Sequence, residues 1–430
     1  MKHSSILVFP CGSEVGLEIN KSLQDISFIT LYGGASVPDH GKWEYENYIG
    51  NIPYITDTNF VDKLNKIIEK YDIDFIFPAL DSVALVLSDL RDSIKATILT
   101  SSKDTVNICR SKSKTYEALK GCDFLPEIYR NSVNIDFPVF MKPAIGQGAQ
   151  GARLIHSKDE LEFELSQTVE EQVLCEYLPG MEYTVDCFTD MNGVLKYCAH
   201  RSRNRIKSGI SVNSQLEPTN SRVSEIANII NQKLNFKGAW FFQLKEAKDG
   251  QLKLMEVATR IAGTMCIERA RGVNLPLLTV FDALGYEVEV SPQFDKVEVD
   301  RALTNCYKLN FKFDELYIDY DDTVIIRDKV NLKVIALLYK CADQDIPIYL
   351  ITKHHKDILQ ELKERKISID LFKEIIHIEQ GDDKSKYISP SKDALFIDDS
   401  FAERNNISKK HGIKSMGVDN IEVLLNGVRQ

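Results

Sequence analysis

The chain has 430 residues, 43% hydrophobic and 27% charged, with a formal net charge of −10. That length favours two or three domains, each able to bury a core. The acidic balance, with no long basic run, argues against nucleic acid as the main partner. Nine cysteines are scattered without a Cys-x-x-Cys pair, several of them inside apolar runs such as Val173-Leu174-Cys175-Glu176. They read as reduced, buried thiols of a cytoplasmic protein, not as disulfides or zinc ligands. The first apolar run, Ile6 to Pro10, is too short for a signal sequence, and no apolar stretch reaches 18 residues. Neither secretion nor a membrane span is expected.

Residues 5–100 alternate strands and helices. Strands are expected at Ser5–Phe9, Phe28–Tyr32 and Asp74–Pro78, with helices ending near Leu23 and spanning Phe60–Tyr71. This rhythm implies a parallel sheet with right-handed crossovers. Gly12 and Gly16 after the first strand could cradle a phosphate, but a tight strand-to-helix turn is the simpler reading. Residues 105–290 pair more like antiparallel hairpins. The expected strands are Phe137–Pro143, Ala152–His156, Val173–Tyr177, Glu182–Thr189, Leu195–Ala199, Trp240–Glu246 and Leu252–Val257. Helices are expected at Lys112–Leu119, Lys158–Ser166 and Arg222–Leu234. The expected fold is therefore α/β then α+β: a domain at 1–105, a second at 106–295, a linker at 296–312, and a third, again β/α, at 313–430.

In the second domain an apolar strand ends in Lys142-Pro143 and runs into Gly146-Gln147-Gly148-Ala149-Gln150-Gly151. A glycine loop lets backbone N–H groups approach phosphates, and a lysine at its root adds a cation. Alone, this is equally a glycine-rich hairpin. Downstream, Glu176-Tyr177-Leu178-Pro179-Gly180-Met181-Glu182 sets two carboxylates around a turn, able to accept from an adenine amino group and ribose hydroxyls. Gln243 and Glu256 fall on neighbouring strands as hard oxygen donors, the kind Mg²⁺ takes alongside phosphate oxygens. Arg260, before Gly263, could stabilise a transferring phosphoryl group.

This ordered set, with Lys112, resembles the ATP-grasp superfamily over residues 5–290, most closely the synthetase domains of carbamoyl-phosphate synthase and their short relatives. The resemblance implies that Lys112, Lys142, Gly146, Gly148 and Gly151 contact ATP phosphates. It implies that Glu176 and the Leu178 backbone read adenine and Glu182 the ribose. Gln243 and Glu256 would hold Mg²⁺ or Mn²⁺, and Arg260 would face the acyl-phosphate-forming transition state. Arg201 and Arg203, in a run of four cations within seven residues, would face the γ-phosphate or the acid substrate, the bland alternative being a solvated charged loop. Where the family shows Glu-x-Asn-x-Arg, this chain has Ala258 in place of the asparagine. A second metal would then be held weakly, through water, or by Thr259.

The last domain opens with an apolar strand ending in Asp319-Tyr320-Asp321-Asp322-Thr323. Two carboxylates two residues apart at a strand tip can divide nucleophilic and acid–base roles. Thr352 ends a second strand, Lys384 opens a helix after an acidic turn, and Asp398-Asp399 end a further strand. The set resembles the haloacid-dehalogenase (HAD) superfamily in a capless, Rossmann-like form. By that resemblance Asp319 is the nucleophile and Asp321 the acid–base. Thr352 and Lys384, or Lys386, bind the phosphoryl group. Asp319 and the Asp321 carbonyl, with Asp398 or Asp399, would hold Mg²⁺. His354 and His355 read as surface or supporting residues.

Together these imply an ATP- and magnesium-dependent carboxylate–amine (or ammonia) ligase fused to a phosphatase acting on a phosphorylated metabolite. The ligase partners would be a small-molecule acid and amine. Two alternatives stay open: a kinase-like phosphotransferase, or a chain in which one module is retained for binding or regulation. Self-association is compatible with either.

Overall fold

A computed structural model describes residues 2–129, 135–146, 148, 150–309 and 311–425. The chain divides into two compact units, Met1–Leu303 and Thr304–Gln430.

The first unit begins with a five-stranded parallel sheet. Its strands are β1 (Ser4–Phe9), β2 (Ile29–Gly34), β3 (Asn47–Ile49), β4 (Phe75–Pro78) and β5 (Thr97–Ile98), in the order β3-β2-β1-β4-β5. Strand β1 is central and its Ile6, Leu7 and Val8 are fully buried, which explains its unbroken apolar run. The Gly12 N–H is taken by the Asp39 carboxylate at 3.1 Å, and the Gly16 N–H by the capping Ser13 hydroxyl at 2.9 Å. A Cβ on Gly12 would fall on that carboxylate. The glycines thus serve the turn and its own acid, not a phosphate.

Next comes a small antiparallel sheet of β6 (Val139–Pro143), β7 (Arg153–Ile155) and β8 (Gln172–Glu176), ordered β7-β6-β8. The remaining strands of the unit are β9 (Glu182–Thr189), β10 (Leu195–Lys207), β11 (Ile210–Leu216), β12 (Gly238–Glu246), β13 (Leu252–Ala258) and β14 (Glu298–Asp300). They form a six-stranded antiparallel sheet, β13-β12-β9-β10-β11-β14. Trp240, Phe242, Val185 and the helix Ser221–Leu234 supply much of the core against one face.

Two sequence expectations are corrected here. The strand expected at Leu195–Ala199 runs on as β10 through the basic segment to Lys207, which sets aside the bland alternative of a solvated loop there, then turns at Ser208-Gly209 into β11. Both turn residues have positive φ, as a two-residue hairpin with the strands' own twist requires. Also, part of the expected linker is the edge strand β14, paired with β11 through Asn213, Ser214 and Gln215.

The second unit is a five-stranded parallel sheet, with a short hairpin between its first strand and the helix that follows. The strands are β15 (Leu316–Ile318), the hairpin pair β16 (Ile325–Ile326) and β17 (Lys329–Val330), β18 (Ile348–Thr352), β19 (Glu374–His377), β20 (Leu395–Ile397) and β21 (Lys414–Met416). The sheet order is β19-β18-β15-β20-β21. Helices Leu332–Ala342 and Phe401–His411 follow β17 and β20. Lys384 opens a single 3₁₀ turn, Lys384–Lys386, capped by Asp383, where a longer helix was expected. No helix among the described residues is long and apolar enough to cross a membrane.

Candidate active site

A cleft of about 700 Å³ opens in the first unit, bordered by Glu14, Gly148, Arg203, Gln243, Glu256 and Arg260 among others. Gln243 and Glu256 are direct partners in the β12–β13 ladder, so their side chains share one face. Immediately beside them the register slips: Leu244 pairs with Leu254, leaving Met255 as an extra residue. Bulges of this kind free backbone groups and re-aim side chains near sites. Here the freed Met255 carbonyl accepts from the Tyr116 hydroxyl at 2.8 Å and from Lys142 Nζ at 3.1 Å. Lys142 Nζ also donates to the Tyr116 oxygen at 2.8 Å. Lys142 is buried, and burial pushes its ammonium below the ordinary lysine value. Lys112, at the start of the helix Lys112–Ala118, is lowered by burial too and lies 3.9 Å from the Glu256 carboxylate.

The glycine loop meets the β10–β11 turn. A Cβ at Gly148, where φ is +59°, would stand 3.2 Å from the Ser208 carbonyl. Gly148, Gln150, Ser208 and Gly209 all border the cleft. Gly146 lies deeper, its carbonyl accepting from Arg110 at 2.8 Å, while Gly151 faces Pro143. Gln147 and Ala149 lie outside the described residues.

Other expected residues are placed differently. Arg203 borders the cleft but is held by Glu182 at 2.7 Å, Thr184 at 3.2 Å and the Gly209 carbonyl at 2.8 Å. Glu182, expected at a ribose, is therefore an ion-pair partner, with Lys245 at 3.7 Å as well. Arg201, expected to face a phosphate or an acid, also borders the cleft, but its side chain is only 1% exposed and donates to Asp186 at 2.7 Å and Ser214 at 3.3 Å. Its long β-strand neighbours, not solvent, set its position. Glu176 accepts from the Glu127 N–H at 2.9 Å and lines a different cavity, of about 1460 Å³, with Tyr116 and Tyr129. Leu178 is buried beside this hinge. Ala258 is buried in the β12–β13 ladder opposite Phe241 and has no side-chain donor for a metal; the Thr259 carbonyl is taken by Thr100 at 2.8 Å, and Thr259 borders the recess.

Arg201→Met is expected to lower the unfolding free energy by about 3–5 kcal/mol, because it strands the buried Asp186 charge. Urea unfolding followed by fluorescence reads the loss, and Asp186→Leu in the same chain should recover most of it.

Sequence reasoning missed Arg110 and Asp81, which border a small recess with Lys112, Gly146, Glu256 and Arg260. Arg110 could have been noticed as a second cation two residues before Lys112. Nothing local marks Asp81.

In the second unit the C-terminal ends of three adjacent strands gather the expected groups. Asp319 follows β15, Thr352 ends β18 and Asp398 follows β20. Ligands of open parallel sheets bind at this edge. Lys384 Nζ bridges Asp319 at 2.6 Å and Asp398 at 2.7 Å, all three buried. Burial raises the Asp319 carboxyl, with Asp398 adding to the rise and Lys384 opposing it. Carboxylate oxygens of Asp319, Asp398 and Asp399 lie within 4.8 Å of one another. Lys386 is instead exposed and paired with Asp382 at 3.1 Å. Asp321 stands apart from the group. Its half-exposed carboxylate meets the buried His354 Nδ1 at 2.9 Å, so His354 is its support and His355 remains exposed. Thr352 Oγ1 accepts the His354 N–H at 3.1 Å.

Comparison with known proteins bears on the first unit. Residues 168–305 match a family described as ATP-grasp in the biosynthetic pathway with Ter operon. The chain is similar to the carbamoyl phosphate synthase large chain of Clostridium botulinum (strain Alaska E43 / Type E3), 22% identical over 278 residues. The match covers 58% of this chain and 26% of the relative, so the chain spans about a quarter of the relative's length. Among solved structures, N5-carboxyaminoimidazole synthetase from Staphylococcus aureus complexed with ADP matches with a TM-score of 0.57 and 15% identity, over 68% of this chain and 81% of that one. The biotin carboxylase domain dimer of Hydrogenobacter thermophilus 2-oxoglutarate carboxylase, in complex with MgADP, ADP and bicarbonate, matches with a TM-score of 0.56 and 14% identity, over 68% and 72%. The likeness is one of fold, and with the family match it places an ATP-grasp domain in the first unit of this chain.

Proposed function

We propose that the first unit is an ATP-dependent carboxylate–amine (or ammonia) ligase, with residues 1–105 as its leading domain and 106–295 as its ATP-grasp domain. The observation that supports this reading is the gathering of cations around Glu256: Glu256 and Arg260 border both the cleft and the adjoining recess, Gln243 borders the cleft, Lys112 borders the recess, and the buried Lys142 feels the Glu256 charge. Cations there neutralise phosphate oxygens. The amide oxygen of Gln243 and the carboxylate of Glu256 are hard donors on one face, a set that fits Mg²⁺ shared with phosphates. When bound, the metal would screen charge on the β- and γ-phosphates. A substrate carboxylate oxygen attacks the γ-phosphorus and ADP leaves. The amine nitrogen then attacks the acyl carbon, the C–O bond to phosphate breaks, and the nitrogen loses a proton. Protein groups contribute positioning and charge, not covalent chemistry.

We further propose that the second unit is a capless HAD-type phosphatase. Asp319 would attack the phosphorus of a phosphoester. The alcohol would leave with a proton from Asp321, and water would release the aspartyl phosphate. Lys384 would hold the nucleophile and phosphoryl oxygens. Asp319, Asp398 and Asp399 fit a divalent cation by donor type and proximity, and a bound cation would offset repulsion between carboxylate and phosphate. The partners proposed are a small-molecule acid and amine for the ligase and a phosphorylated metabolite for the phosphatase.

The test is a panel of amino acids and sugar acids, each with and without ammonium, scored for stimulated ADP release in Mg²⁺. An acid that stimulates ADP and phosphate release together with an amide product supports the ligase. A stable phosphorylated product identifies a phosphotransferase instead.

A further inference from the structure

Arg260 is fixed before any ligand arrives. Its Nε donates to one oxygen of Asp81 at 2.8 Å and its Nη2 to the other at 2.7 Å. Its Nη1 donates to the Ile261 carbonyl at 3.0 Å, and the guanidinium carbon lies 5.3 Å from the Phe241 ring centroid. Such a fork-to-fork pair fixes a guanidinium in plane and in rotation. It uses the Nε–Nη2 side, so the Nη1–Nη2 end is the edge turned away from Asp81. Asp81 is the first residue of the helix Asp81–Asp89, in the parallel-sheet part of the unit, 179 residues from its partner. A helix N-terminus favours a carboxylate, so the anchor is itself held in place.

We propose that Asp81 is a positioning residue for Arg260, aiming the Nη1–Nη2 end of the guanidinium at the terminal phosphoryl group of the nucleotide. This rests on the ligase reading above. Asp81 also lies against Arg110 and Lys112. Burial alone would raise its carboxyl, but the charges of Arg260, Arg110 and Lys112 hold it below the ordinary range. One ionised carboxylate thus keeps three like charges together while the cleft waits for phosphate.

The account separates from a merely structural ion pair by the nucleotide it affects. Titration calorimetry of the full chain in Mg²⁺ would compare ADP with a non-hydrolysable methylene-bridged ATP analogue. Asp81→Asn is expected to weaken the analogue by about tenfold, the scale of one charge-assisted contact, and ADP by less than about threefold. In an Arg260→Ala background the same substitution should add nothing. Thr100→Val, which removes the other tether on the same segment, should leave the ATP-analogue-to-ADP ratio unchanged. Should Asp81→Asn not fold, Asp81→Glu keeps the charge, shifts the fork and carries the same expectation. Equal losses for both nucleotides, tighter analogue binding, a loss that persists without Arg260, or the same selectivity from Thr100→Val would each overturn the proposal. A parent chain that binds neither nucleotide removes the ligase reading itself, a result distinct from all of these.

Discussion

Lys142→Met is expected to weaken binding of MgATP by about ten- to a hundredfold while leaving the fold at least as stable at neutral pH. The first part follows from charge. Lys142 holds a buried ammonium close to Glu256, which borders the cleft, and a hydrogen bond from a charged donor contributes about 1.5–3 kcal/mol. The second part follows from burial. The protonated side chain is disfavoured in the folded state, so its pKa lies below the unfolded value. Between those two values the unfolded chain binds more protons than the folded one, and stability rises with pH. Below that window both states are protonated and the folded one bears the burial cost in full; within it the folded side chain bears the cost of releasing its proton. Methionine removes that cost at similar length, and Tyr116 keeps its bond to the Met255 carbonyl. Calorimetry and urea unfolding on the same preparations read the two effects. A variant that loses nucleotide binding only because it unfolds would contradict this assignment, as would unchanged affinity.

Asp319→Asn is expected to reduce phosphate release from an aryl phosphate by at least about a thousandfold, with nucleotide binding by the first unit unchanged. An amide cannot form the acyl phosphate. It still offers an oxygen to Lys384, whose second partner, Asp398, is untouched. The fold should therefore persist, and near-parent secondary structure by circular dichroism checks it. Equal release by parent and variant would remove Asp319 as nucleophile.

Much of the framework was legible because burial and periodicity coincide. Leu7 and Val8 lie in a strand covered on both sides, and the Phe60–Tyr71 helix places Phe60, Leu64 and Ile68 on one buried face. The strand Glu182–Thr189 emerged with the boundaries its alternation suggested. The basic stretch from Arg201 did not, because its cations masked an alternating strand whose arginines are neutralised by Asp186, Glu182 and Asp300 from other strands. The Ser208-Gly209 pair was the available signal. Glu298–Asp300 is too short and polar to announce a strand; only its partner β11 makes it one. Within the site, Gln243 and Glu256 were legible as donors, but their exact register depends on a bulge at Met255. Asp81 was not legible, since its role exists only through a contact made across 179 residues. The Asp319–Lys384–Asp398 triad joins two tips of neighbouring parallel strands with a lysine from a 3₁₀ turn, and its members were named from the resemblance to the HAD superfamily. Its choice of Lys384 over Lys386 needed the turn geometry.

The most direct test is a crystal structure of the full chain with Mn²⁺ and a non-hydrolysable ATP analogue. The account predicts an anomalous peak about 2.1 Å from oxygens of Glu256 and Gln243, with the phosphates between Lys142, Lys112 and Arg260. Nucleotide seated only in the cavity beside Glu127 and Tyr129, with no metal at Glu256, would contradict it.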